Sequence, residues 1–253
     1  MLHIRLRTGS ANTSRGMLRF TDELIARVDR AGASGPKLLR ADSGFWANKT
    51  FDRLDRAGWQ FSIGVRLQAH VRTAIEQIDE AAWATLEDYP ATSIAQIAET
   101  RLGERRLIVR RVRTLNRQGE LLPSWEHFAF ATNRTDPLET VEAEHRQHAV
   151  VELAIRDLKD QALAHFPSGK FCANAAWTVI AALAHNLLRW TSVLGLPGQT
   201  IRAARTLRRR LLAMPGRLTK TARRFTLHLP ARWPWRDAFT EALTRIRALP
   251  IAT

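Results

Sequence analysis

Apolar and polar positions change period several times along this chain, and the changes divide it. Leu2 to Arg7 sets apolar against basic residues one by one, which predicts a short strand. From Met17 to Ala31 the positions Leu18, Leu24, Ile25 and Val28 make the apolar face of a helix, with Gly32 as its stop. Lys37 to Ala41 is an apolar run closed by Asp42-Ser43-Gly44, Phe51 to Ala57 predicts a helix ahead of Gly58, and Phe61 to Val65 is the next strand. Strand, helix and strand in that order predict parallel strands with helices packed across them.

After a helix over Ala69 to Ile78 the period shortens. Ile94 to Thr100, Leu107 to Val112 and Phe128 to Thr132 alternate as strands, with turns at Leu102-Gly103-Glu104 and Asn116-Arg117-Gln118-Gly119, a pattern of antiparallel hairpins. A long helix is expected from Pro137 to Leu163, then helices over Ala173 to Leu194 and Thr200 to Met214, a basic strand from Phe225 to Leu229 and a last helix from Arg236 to Leu249. The class is α/β, with segments 1–84, 85–135, 136–196 and 197–253.

Composition adds a core and a partner. The 253 residues are 45% hydrophobic and carry a formal net charge of +15. No charged and apolar leader opens the chain, and the longest apolar stretch is interrupted by His185, Asn186 and Arg189, so neither a signal peptide nor a membrane span is expected. Cys172, the single cysteine, excludes an internal disulfide and a cysteine-cluster zinc site and fits a reducing compartment. Between Asp160 and Asp237 there is no acid but thirteen Lys and Arg, among them Arg208, Arg209 and Arg210. A field of one sign points to a polyanion, most often nucleic acid, bound through phosphate neutralisation. The bland alternative is an arginine-rich surface that binds nothing in particular.

Candidate chemistry gathers in HRQHAVVELAIRDLK, His145 to Lys159. On one continuous helix His145, His148, Glu152, Arg156 and Lys159 share a stripe, which is either a solvated surface or half of a site. Asp42 is the second candidate, because a carboxylate just outside the carboxyl end of a parallel strand lies where ligands collect; Asp-Ser-Gly is equally ordinary turn chemistry. Together the two acids could share Mg2+ or Mn2+, and two such ions activate an attacking oxygen and stabilise a leaving one at a phosphodiester. His70, His127, His165, His185 and His228 show no ligand spacing, and the eight tryptophans are read as packing.

The stretch LLRADSGF from Leu38 to Phe45, the strand QFSIGVR, the β segment and the helix around Glu152 resemble the IS4-like DDE transposases, most closely the IS1380 type. That group sets tyrosine, arginine, glutamate and lysine on a helix with two, three and six residues between them; His145, His148, Glu152 and Lys159 stand in those places. The resemblance implies a partial ribonuclease H-like fold over 1–84 and 136–196, an antiparallel β insertion at 85–135 and a helical, basic C-terminal part. It implies Asp42 and Glu152 as catalytic and metal-binding acids, with Mg2+ or Mn2+ held weakly. His145, His148, Arg156 and Lys159, joined by Arg208, Arg209 and Arg210, would contact DNA, as transposon end and as target. Family members carry a third acid on their first strand; here Leu2 to Arg7 aligns with the third, so the chain is expected to be truncated at its N-terminus. A missing neighbour would leave the Lys37 to Ala41 strand with an open edge that favours self-association. The leading expectation is a DNA transposase catalytic-domain fragment, inactive alone, in the bacterial cytoplasm on the nucleoid. The alternatives are a nucleic-acid-binding remnant without chemistry and an interaction protein whose basic face meets acidic partners.

Overall fold

The computed structural model describes residues 1–9, 15–115, 124–147, 150–198 and 203–250. It contains two compact units: a sheet unit, Thr8–Val150 with Leu2, and a helical unit, Val151–Thr253 with Met1 and His3–Arg7.

The sheet unit grows from two parallel strands. β1 (Leu38–Ala41) and β2 (Gln60–Gly64) pair with Leu39 opposite Phe61 and Ala41 opposite Ile63. Parallel neighbours need a crossover, and α2 (Asn48–Arg56) supplies it, following α1 (Met17–Arg30) in the chain. Ile25 and Val28 of α1, Phe51 and Leu54 of α2, and Phe61 and Ile63 of β2 form one core cluster. Phe51, Leu54, Phe61 and Ile63 are fully enclosed, with the Phe51 ring 4.9 Å from Phe61.

The other side of β2 pairs antiparallel with β6 (Glu126–Thr132), so the hairpin strands continue this sheet and do not stand apart from it. β3 (Ala84–Thr85), β4 (Ser93–Leu102) and β5 (Arg105–Thr114) complete the order β1-β2-β6-β5-β4-β3. Leu102 faces Arg105 across a two-residue turn whose first position, Gly103, has φ 60, a conformation open to glycine at little cost. Alternation along β5 then feeds both faces. Leu107 and Val109 pack with Val71 and Ile75 of α3 (Ala69–Glu76), while Ile108 packs with Phe130 and Val141 of α4 (Leu138–Arg146).

Two expectations are corrected. Leu2 to Arg7 is irregular and joins no ladder among the described residues, so β1 ends the sheet. Alternation states which side chains would share a face; a strand also needs a partner for its amides. The single helix expected from Pro137 to Leu163 is two: α4 closes at Gln147, and α5 runs Val150–Lys159. His148 and the turn expected at Asn116 to Gly119 lie outside the described residues.

In the helical unit α5 is followed by α6 (Phe171–Trp190), which widens into a π turn at Thr191–Gly195, and by α7 (Ala204–Leu207), which does the same at Arg208–Leu212. A hairpin of β7 (Arg217–Thr221) and β8 (Arg224–His228) and then α8 (Arg236–Arg247) complete it. The sequence pattern had given only the second hairpin strand. Leu196, Leu207, Leu211 and Ala242 make the core, and α8 lies so close to the first π turn that a Cβ on Gly195 would come 2.9 Å from Ala242 Cβ. Asp157 Oδ2 accepts the Ala204 backbone N–H at 3.2 Å, tying α5 to the start of α7. By length and hydropathy Phe171–Gly195 would cross a membrane. The helix buries Thr178, Ala181, Ala182 and His185 and exposes Val179, Ile180, Leu183 and Leu187.

Since Phe51 packs the crossover helix against Phe61 of β2 without residual exposure, Phe51→Ala is expected to cost about 3–5 kcal/mol. Urea unfolding followed by tryptophan fluorescence measures it; a loss below about 1 kcal/mol would show that the site collapses or is not core.

Candidate functional site

Asp42 follows β1 directly, outside the carboxyl end of the parallel pair. Its Oδ1 accepts the Gly44 backbone N–H at 3.0 Å and caps the short turn Ser43–Phe45. Gly64 at the end of β2 lies beside that turn, where a Cβ would make ordinary contact with Ser43 N at 3.4 Å. Asp42 is exposed, and its other oxygen accepts no hydrogen bond among the described residues.

The acid most deeply placed in the sheet unit is Glu142 of α4, which is 1% exposed. Arg110 of β5 reaches it at 2.5 Å and Arg146, one turn along α4, at 3.4 Å. A buried carboxylate requires such partners, because desolvating it alone costs several kcal/mol. Beside it His145 stacks on Phe130 with ring centroids 3.9 Å apart, and its Nδ1 lies 2.5 Å from Ser62 Oγ. Glu142, Arg110, Arg146, His145 and Phe130 line, with His127, a cavity of about 300 Å³. Burial, with Arg111 and Arg72 nearby, holds the His127 pKa below its ordinary value. His145 therefore makes contacts inside the sheet unit, and it shares no continuous helix with Glu152.

On α5 Glu152, Arg156 and Lys159 are all exposed, and Glu152 and Arg156 form no ion pair among the described residues. Farther along the helical unit Arg208 and Arg209 are exposed on the π turn, whereas Arg210 is half-buried with its guanidinium 4.0 Å from the centre of the Trp235 ring. That stacking gives Arg210 a packing role and leaves its two neighbours at the surface.

Divalent metal of the Mg2+ kind asks for several oxygen ligands in near-octahedral array. Among the described residues no three His, Cys, Asp or Glu side chains form a group that could hold one. Asp42 offers one uncommitted oxygen, and both oxygens of Glu142 face arginines. The described residues thus assemble no complete metal centre.

Sequence reasoning overlooked Glu142. Its signal was the i,i+4 spacing to Arg146, a pattern shared by many exposed pairs.

Comparison with protein-family models matches residues 1–251 to the transposase DDE domain, group 1. No curated protein matches the chain.

Removing one partner of the Glu142 cluster strands buried charge, so Glu142→Ala is expected to destabilise by about 3–5 kcal/mol, and Arg110→Met with Glu142→Leu to recover most of it. Chemical denaturation of both variants tests this; equal losses in the two would show that the ion pair is not what the site depends on.

Proposed function

The chain belongs to the transposase DDE domain family, group 1, whose members catalyse DNA transposition with divalent metal ions, and from this premise we propose that it engages DNA through its helical unit and does not cleave on its own. The observation that carries the proposal is the partition of charge. Residues of the sheet unit comprise 20 Lys and Arg against 19 Asp and Glu; those of the helical unit comprise 19 against 5.

Inside the sheet unit many arginines pair with acids. Arg53 pairs with Asp22, Arg105 with Asp52 and Asp55, Arg106 with Glu99, Arg111 with Glu80, and Arg134 with Asp136 and Glu144. Such pairs neutralise their own field and leave little for a distant anion. The segment 161–236 has no acid with which to do the same. In this proposal Arg208 and Arg209 on the π turn, with Arg156 and Lys159 on α5, contact phosphates. Arg210 supports them through Trp235. Association steered by such a surface is fast and strongly salt-dependent.

As separate candidates, Asp42 of the sheet unit and Glu152 of the helical unit are the acids we propose for metal in the family reaction, and the ribonuclease H-like fold and IS4-like, IS1380 type belong to the same proposal. Support comes from the position of Asp42 after β1, from the ADSGF stretch and from the spacing of Glu152 to Lys159. In this proposal Mg2+ or Mn2+ is held weakly and the chain alone does not cleave, because two acids without a third partner stabilise the paired metals of the reaction poorly. Self-association, in the cytoplasm on DNA, belongs to the same reading, since β1 closes the sheet with one edge unpaired among the described residues.

Binding to a fluorescent duplex should weaken steeply as salt rises, and Arg208→Ala with Arg209→Ala should reduce the log–log slope by about 2. An unchanged slope removes that turn from the interface. With Mg2+ or Mn2+ the chain should leave transposon-end DNA intact; cleavage that is lost in Asp42→Asn or Glu152→Gln would instead establish an active enzyme.

A further inference from the structure

We infer that the hairpin Arg217–His228 is a base-reading ribbon, whose polar face enters the major groove of duplex DNA. The inference rests on the DNA-binding reading above and adds where sequence is read. β7 and β8 form a two-stranded sheet of their own, with Arg217 opposite His228, Thr219 opposite Thr226 and Thr221 opposite Arg224. Side chains alternate between faces, so Arg217, Thr219, Thr221, Arg224, Thr226 and His228 share one face. The register is visible in the side chains: Thr219 Oγ1 lies 2.9 Å from His228 Nε2 on that face, and Lys220 Nζ lies 5.3 Å from the Phe225 ring centre on the other.

Every residue of the two strands except Thr219, which is half-buried, is exposed. A two-stranded hairpin open on both faces is marginal in water, and this one bears Arg217, Lys220, Arg223 and Arg224 with no acid. Charge complementarity therefore selects a polyanion. The face selects its type. Tracking phosphates needs only cations, but three threonine hydroxyls, an imidazole and two guanidinium forks on one ribbon face are the groups that discriminate base edges. A two-stranded ribbon also has the width the major groove admits, and the minor groove does not. Turn geometry puts Arg223 at the tip, after Ala222 at φ 53, where it can meet the backbone beside the groove.

The test is selection of the full-length chain against a random duplex pool, followed by affinity for the enriched site and for a scrambled one. The wild type should enrich a shared sequence. Arg217→Ala with Arg224→Ala, and separately the shape-conserving Thr226→Val, should each lower the enriched-to-scrambled affinity ratio by about tenfold or more. Lys220→Ala, on the opposite face, should leave the ratio unchanged, and Arg208→Ala with Arg209→Ala should weaken both duplexes alike. Circular dichroism identical to wild type accompanies each comparison, as expected for exposed positions. DNA binding without an enriched sequence, or an unchanged ratio in both ribbon variants, overturns the inference and leaves the DNA-binding reading standing. No binding to any duplex overturns both.

Discussion

Whether a guanidinium finds a carboxylate within its own unit is the constraint from which most of this structure's behaviour follows. In the sheet unit each long strand that carries arginines also carries, or faces, acids. Arg106 meets Glu99 across the β4–β5 pair, and Arg110 and Arg111 leave opposite faces of β5 to reach Glu142 and Glu80. Partly buried cations are tolerable there because each is paired, and Arg111 is further enclosed between Trp83 and Trp125, 4.2 and 4.5 Å from their ring centres. From Gln161 to Arg236 the chain has no acids for such closure. Of its described cations, Arg208 and Arg209 lie exposed and Arg210 stacks on Trp235. Folding thus uses up the charge of one unit and leaves that of the other to act outward.

Backbone pairing sets the second condition. β2 is parallel to β1 on one side and antiparallel to β6 on the other, so the crossover half and the hairpin half meet on a single strand. Thr132 Oγ1 donates to the Phe61 carbonyl at 2.6 Å and Asn133 Oδ1 accepts the Phe61 N–H at 2.9 Å, which fixes the register where β6 ends. This junction places the ends of β1 and β2 side by side, with Asp42 and Gly64 at their outlets. An acid in that position has reach toward a ligand, yet within the described residues it has one capping bond and belongs to no group of three metal ligands.

Much of this was legible from the residues. The helix over Met17–Arg30, the parallel strands and the β4–β5–β6 meander follow directly from period and turn chemistry. Three features were not. Residues 138–159 contain no Gly or Pro, so the break between α4 and α5 leaves no mark in composition; it reflects burial, since α4 buries Val141 and Glu142 in one unit and α5 buries Leu158 in the other. The strand expected at Leu2 to Arg7 failed because its pattern could not supply a partner. β7 escaped notice because Arg-Leu-Thr-Lys-Thr has a single large apolar residue, and its identity as a strand depends on pairing with β8 across Ala222-Arg223. In each case the missing information was tertiary.

The most direct test of the account is photochemical crosslinking of the full chain to duplex DNA, with the attached peptides mapped by mass spectrometry. Crosslinks concentrated between Gln161 and Arg236, within the acid-free stretch of the helical unit, are the predicted result. Crosslinks confined to the strands and helices of the sheet unit, with residues 161–236 untouched, would contradict it.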